Sequence, residues 1–141
     1  MLYQDYLKSL TRCPFCNVSD RVILSTENCY LTYAWAPYHK HHLLVIPKKH
    51  RTSLFDLDIN EKEEVDLLVG KAMTIIKKLG YKDFTVIVRE GEDHAKTISH
   101  LHYHIIPNTH IGDLDHKGNE RRVLSDQEVK NLVDEINSVK V

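Results

Sequence analysis

The apolar positions change period several times along the chain, and each change marks an element. Leu2, Tyr6 and Leu7, with Leu10 just beyond, predict a short amphipathic helix over 2–9. Two short strands are expected at 22–24 and 29–35, around a turn at 25–28. Leu43-Leu44-Val45-Ile46 is a continuous apolar run closed by Pro47, the pattern of a central strand buried on both faces. Over 61–79, Val65, Leu68, Ala72, Ile75 (or Ile76) and Leu79 recur at helical spacing. Asn60 with Glu63 forms a capping pair for this long helix, and Gly80 stops it. Residues 84–88 read as a strand, and Gly91 opens a loop that runs to about Thr97. Residues 100–106 alternate strictly and end at Pro107, so they read as a strand too. Residues 108–122 are polar and irregular. Ser125 and Glu128 then cap a last helix carrying Val129, Leu132, Val133, Ile136 and Val139.

Strands outnumber helices, and most connections are too short for crossover helices. The expected class is α+β: an antiparallel sheet with one long helix packed across it and a C-terminal helix. At 141 residues, a single domain over 1–141 is expected. The net charge of −1 gives no basic field for nucleic acid, and no apolar run approaches the ~20 residues of a membrane span. The start, MLYQDYLKSL, has neither the basic opening nor the apolar centre of a secretory signal. Three cysteines do not make a disulfide framework. A reduced, cytoplasmic setting is therefore expected.

Histidine is where chemistry enters. The chain has 10, nine of them in two groups, His39, His41, His42 and His50, then His94, His100, His102, His104 and His110. In His100-Leu101-His102-Tyr103-His104-Ile105-Ile106, a period of two puts three imidazoles on one face and Leu101, Tyr103 and Ile105 on the other. At strand rise, His100 and His104 would lie about 13 Å apart, too far for one ion to hold all three in comfort. A division of labour is the natural reading, one end structural or metal-bound and the centre chemical. A pure metal site using His100 and His102, or a row of solvent-facing histidines, are the alternatives. Cys13-x-x-Cys16 is half of a tetrahedral site and needs two more ligands, a redox pair being the competing reading. Cys29 reads as a small core residue.

The run His-φ-His-φ-His-φ-φ, with φ apolar, resembles the histidine-triad superfamily at every position. Leu43-Leu44-Val45-Ile46-Pro47-Lys48-Lys49-His50 is similar to that family's central strand and the turn after it. Gly91-Glu92-Asp93 and Thr97 fall where it places a phosphate loop, so the likeness covers about 13–107 and leaves a tail over 108–141. The resemblance implies a nucleotide hydrolase or transferase in which His102 attacks the α-phosphorus and a nucleotidyl-histidine forms. It implies phosphate or bridging-oxygen contacts from His104, a hydroxyl from Thr97 near the leaving group, and a fourth histidine, His42, near the phosphates. The substrates implied are dinucleoside polyphosphates or nucleoside phosphoramidates. It further implies structural zinc on Cys13, Cys16, His50 and His100, as in zinc-bearing relatives of the galactose-1-phosphate uridylyltransferase branch, and a homodimer. Transfer to phosphate or a sugar phosphate, and nucleotide sensing without turnover, are the alternative functions.

The chain departs from the family pattern in places. Arg89 stands where Asn is common, and Ala95-Lys96 where Gly-Gln is common. Both add positive charge suited to a longer phosphate chain, which with Gly91 makes Arg89 and Lys96 candidate substrate-binding residues. Ala34 replaces the acidic residue expected to grip the ribose, leaving Tyr33 and Trp35 either to stack on a base or to fill core. His41 replaces a glycine. In the tail, Arg121 or Arg122 is expected to touch substrate or the partner subunit.

Overall fold

The structure, a computed structural model, describes residues 2–17, 20–91, 98–108 and 123–139. The chain divides into two compact units, Met1–His110 and Ile111–Val141. In the first, helix α1 (Tyr3–Ser9) precedes strands β1 (Leu24–Ser25), β2 (Cys29–Tyr33) and β3 (Leu43–Pro47). A 3₁₀ turn (Leu54–Asp56) leads into helix α2 (Ile59–Lys78), then come β4 (Phe84–Val88) and β5 (Tyr103–Pro107). The five strands form one antiparallel sheet in the order β1-β2-β3-β5-β4. The fold is thus α+β with one long helix on the sheet, as the periodicity predicts.

The alternation of β3 explains both layers. Leu43 and Val45 join Cys29, Leu31, Ile105 and the helix residues Val65, Leu68, Ala72 and Ile76 in one core. Leu44 and Ile46 face the opposite way, with Phe15 and Tyr30. The middle strand is therefore buried on both faces, which is why it reads as an unbroken apolar run. The helix occupies one face of the sheet and leaves the other to the N-terminal Cys-Pro-Phe-Cys segment and the histidines.

Several boundaries depart from expectation, two of them for clear local reasons. Helix α2 begins two residues earlier than Asn60 would allow. Asp58 is its cap, its carboxylate accepting from Glu61 N–H at 2.8 Å while Glu61 returns the bond to Asp58 N–H at 3.1 Å. Glu61 is almost fully buried, and Arg51 donates to it from Nε at 3.1 Å and from Nη2 at 2.8 Å. That ion pair, invisible to a capping pattern, selects Asp58 over Asn60. The stop is as expected: Gly80 takes φ +97°, and the amides of Gly80 and Tyr81 turn back to the carbonyls of Lys77 and Ile76.

The second departure concerns the histidine strand, which begins at Tyr103 rather than at 100. The amide of Leu101 donates to the carbonyl of Arg51, at 2.6 Å, outside the sheet ladder. His100 and His102 thus precede β5 on a segment held by its own contacts, and only His104 lies within the strand. At the other edge, β1 is confined to Leu24–Ser25 and β2 ends at Tyr33, two residues short of Trp35.

In the second unit, helix α3 (Asp126–Val139) carries the expected cap. Ser125 N–H donates to Glu128 at 3.0 Å and Glu128 N–H to Ser125 Oγ at 3.2 Å. Among the described residues, no helix is long and apolar enough to cross a membrane.

Candidate active site

Two paired strands, β3 and β5, bring the histidines together. His42 enters β3, His104 lies in β5 opposite Leu44, and His102 sits just before β5. His102 bends back so that its Nδ1–H donates to the carbonyl of His100 at 2.8 Å. A neutral imidazole with its proton held on Nδ1 carries its lone pair on Nε2. The ring lies edge-on to Phe15, with centroids 5.1 Å apart, and edge-on to His104 at 4.7 Å.

His42 and His104 form a buried pair. The amide of Tyr38 donates to His42 Nδ1 at 3.2 Å, which makes that nitrogen an acceptor and puts the proton of neutral His42 on Nε2. His42 Nε2–H then donates to His104 Nδ1 at 2.9 Å, which leaves the proton of His104 on its own Nε2. Burial is the main cause that lowers both pKa values, His42 to about 4 and His104 to about 3. The charge of His102 adds to both shifts, and that of Arg89 to the shift of His104. Both rings are neutral near pH 7. Arg89 follows Val88, which pairs with Tyr103, and its charge is felt at His104.

The other end of the triad faces sulfur. His100 is fully buried and donates from Nε2 to the carbonyl of Pro47 at 2.7 Å, so Nδ1 bears the lone pair. Its Nδ1 lies 3.4 Å from Cys13 Sγ and 3.5 Å from Cys16 Sγ, and His50 Nδ1 lies 3.2 Å from Cys16 Sγ. All four ligand atoms fall within 4.8 Å of one another. A tetrahedral ion with bonds of about 2.0–2.3 Å would set its ligands roughly 3.3–3.8 Å apart, so donor set and spacing both fit a metal. Burial, and then Cys13, push the Cys16 thiol up to about 11, the opposite of what a lone nucleophilic thiol needs. The four clustered ligand atoms belong to Cys13, Cys16, His50 and His100, while His102 Nδ1 is engaged by the His100 carbonyl.

The remaining residues sort as follows. Gly91 takes φ +111°, a conformation suited to glycine at the loop's opening. Thr97 and Lys96 lie outside the described residues, as do Arg121 and Arg122. Ala34 and Trp35 pack against the Phe15 cluster, and Trp35 carries Phe15 stacked at 5.5 Å and the Arg21 guanidinium 4.4 Å from its ring centroid. Trp35 is therefore a packed residue before it is a base platform. His41 acquires a partner that the sequence did not suggest: its Nδ1 is hydrogen-bonded to Tyr81 Oη at 2.7 Å, tying the loop before β3 to the turn after α2. Cys29 is buried with its thiol raised to about 12 by burial, as fits a core residue.

Sequence reasoning missed the groups that hold the histidines in place. The Tyr38 amide and the carbonyls of Pro47, His100 and Arg51 are backbone atoms and leave no signature in residue type. Arg51 and Glu61 were readable only as charges, although Asp58-x-x-Glu61 is itself a capping pattern.

With this geometry in view, the comparisons with known proteins are informative. The pattern of the HIT domain family matches residues 16–111. The chain belongs to the HIT domain family. An adenosine 5′-monophosphoramidase of Schizosaccharomyces pombe is 29% identical over 131 residues, spanning 89% of this chain and 96% of that protein. A HIT family protein from Bacillus anthracis superposes with a TM-score of 0.66 at 26% identity, covering 94% of this chain and all of that one (100%). The diadenosine triphosphate hydrolase of Plasmodium falciparum, solved in complex with cyclomarin A, gives 0.60 at 25% identity over 87% of this chain and 80% of its own. In this HIT domain, the matched stretch includes Cys16, β3, α2, the triad and β5.

Proposed function

We propose that this protein is a nucleotidyl hydrolase or transferase that cleaves the α-phosphate linkage of a nucleotide through a covalent nucleotidyl-histidine. The observation that carries the proposal is the 2.8 Å bond from His102 Nδ1–H to the His100 carbonyl. It commits the proton to one nitrogen and turns Nε2 into a competent nucleophile near pH 7. His102 Nε2 attacks the α-phosphorus, the leaving group departs, and water or another acceptor then displaces the imidazole. His104 Nε2–H donates to a phosphate oxygen as charge builds there. Arg89, Lys96 and the loop opening at Gly91 bind the phosphate chain, Thr97 supplies a hydroxyl near the leaving group, and His42 orients His104. Two relatives named as nucleotide hydrolases, the monophosphoramidase and the diadenosine triphosphate hydrolase, support this reading.

Cys13, Cys16, His50 and His100 would hold a structural zinc, and their spacing supports that assignment. When bound, such an ion cross-links the N-terminal segment, the turn after β3 and the segment before β5, adding to folding stability. By Pro47 and the two thiols, His100 would keep its carbonyl where His102 needs it. A homodimer in a reduced cytoplasmic setting completes the proposal.

Incubating the pure protein with dinucleoside polyphosphates and nucleoside phosphoramidates, with and without inorganic phosphate or a sugar phosphate, tests it. Release of nucleoside monophosphate supports the hydrolase, and a nucleoside diphosphate or nucleotide sugar formed only with the matching acceptor supports the transferase. Tight nucleotide binding with no product in any mixture would overturn both and leave a sensor.

A further inference from the structure

His42 and His104 share one hydrogen bond, and that bond could run in either of two directions. As the pair stands, His42 Nε2–H donates to His104 Nδ1 at 2.9 Å, and His104 keeps Nε2–H for a ligand. Turned round, His104 Nδ1–H would donate to His42 Nε2. His104 would then present a bare lone pair at Nε2, repelling a phosphate oxygen where it should hold one. The amide of Tyr38, donating to His42 Nδ1 at 3.2 Å, breaks the tie. A proton on that nitrogen would face another N–H.

The amide sits in an open stretch of chain. His42 and His104 are 2% and 8% exposed, whereas Ala36, Pro37, Tyr38 and Lys40 all face solvent. An exposed loop therefore sets the protons of two buried rings, and such loops open locally at small free-energy cost. The loop has supports of its own. His42 N–H donates to the His39 carbonyl at 2.9 Å, and the His41 amide donates to His39 Nδ1 at 3.0 Å. These bonds stiffen the turn without fastening it to another element.

Tyr81 fastens it. Its hydroxyl is hydrogen-bonded to His41 Nδ1 at 2.7 Å, and its ring meets His39 and His41 edge-on, with centroids 5.0 and 5.4 Å away. The post itself is rigid. Tyr81 packs against the core between α2 and the sheet, and its amide donates to the Ile76 carbonyl where Gly80 ends the helix.

We infer that Tyr81 is a positioning residue for the reaction: through His41 it holds the loop so that the Tyr38 amide meets His42, which keeps Nε2–H of His104 aimed at the substrate. The inference rests on the proposed nucleotidyl transfer and adds to it a residue outside the triad. Tyr81 acts through His41, the Tyr38 amide and His42 in turn, and takes no part in making or breaking a bond.

The test separates this role from plain stability. Tyr81→Phe keeps the ring and removes the hydroxyl, whereas His41→Ala removes the bond and the ring contacts from the loop's side, away from the core. One hydrogen bond shifts an equilibrium about two- to tenfold, and an aromatic contact adds a similar factor. Deuterium exchange at the Tyr38 amide should therefore rise about threefold in Tyr81→Phe and at least about tenfold in His41→Ala, while the amides of β3 and β5 keep their rates. In the same order kcat should fall, with KM within about twofold. The imidazole ¹⁵N signals of His42 should move toward a proton on Nδ1 in His41→Ala. His41→Asn returns a hydrogen-bonding atom near the place of Nδ1 and should recover most of kcat and of the Tyr38 protection. Unchanged Tyr38 exchange in His41→Ala overturns the inference, and so does unchanged kcat beside faster exchange. Exchange that rises equally in β3 and β5 overturns it too, because Tyr81 would then only support the core. Wild-type protein that forms no nucleotidyl adduct would instead remove the transfer reading beneath the inference. The two failures are told apart because the exchange and nitrogen signals need no turnover.

Discussion

His100 and His104 are the same residue type, four positions apart, and the fold makes opposite things of them. His100 lies before β5 with its ring pinned to the Pro47 carbonyl and its Nδ1 aimed at two thiols. His104 lies in the strand with its Nδ1 sealed against another imidazole and Arg89 nearby. Soft sulfur donors and a preset tautomer suit one end to a metal. A closed chain of neutral donors suits the other to holding charge that appears only during reaction. His102, between them, borrows its orientation from the first end and works beside the second. What a histidine does here is decided by which atom faces Nδ1.

The comparison breaks most clearly at its middle. His102→Ala should abolish turnover by several orders of magnitude while far-UV circular dichroism and nucleotide binding stay close to wild type. His104→Ala removes one donor and should cost about 10²–10³-fold in kcat, with zinc content unchanged. At the opposite end, Cys16→Ser should lose about one metal ion per chain and lower the Tm, with a smaller loss of activity per folded molecule. His100→Ala should resemble Cys16→Ser in metal content and stability. Equal losses of metal at His100, His102 and His104 would contradict the division altogether.

The smallest effect is in pH. Burial holds His42, His100 and His104 neutral down to about 4, 4 and 3, whereas in the unfolded chain each protonates near 6.5. The unfolded state thus binds more protons below pH 6.5, and stability from these groups is complete above that value and falls as pH drops toward 4. In Cys16→Ser protein, where metal release cannot contribute, the Tm should decline between pH 6.5 and 4.5, and His42→Gln should flatten the decline. A Tm flat across that window would contradict the burial of neutral histidine.

Much of this arrangement was legible in the residues, and the part that was not has one physical cause. The run Leu43-Leu44-Val45-Ile46 reads as a central strand because a strand covered on both sides has no polar face to show. Helix α2 is readable from Val65, Leu68 and Ala72, and its end from Gly80, because those signals are local. The start of β5 was not readable. Alternation continues through His100 and His102, but the Leu101 amide turns to Arg51, the His100 ring to Pro47 and the cysteines, and the His102 ring to the His100 carbonyl, and periodicity carries no record of where a backbone bond goes. The same holds for the Tyr38 amide, on which the tautomer of His104 depends. The cap of α2 falls at Asp58 because the buried Glu61 carboxylate, held by the half-buried Arg51, closes the box there and not at the local Asn60–Glu63 match.

The central claim is that His102 becomes covalently nucleotidylated, and rapid quenching tests it most directly. Wild-type protein mixed with α-labelled diadenosine triphosphate and stopped within the first turnover should carry label in an acid-labile, base-stable linkage. Peptide mapping should place that label on His102, and His102→Ala should show none. Wild-type turnover with no protein-bound label, or normal turnover by His102→Ala, would contradict the account and point to direct attack by water.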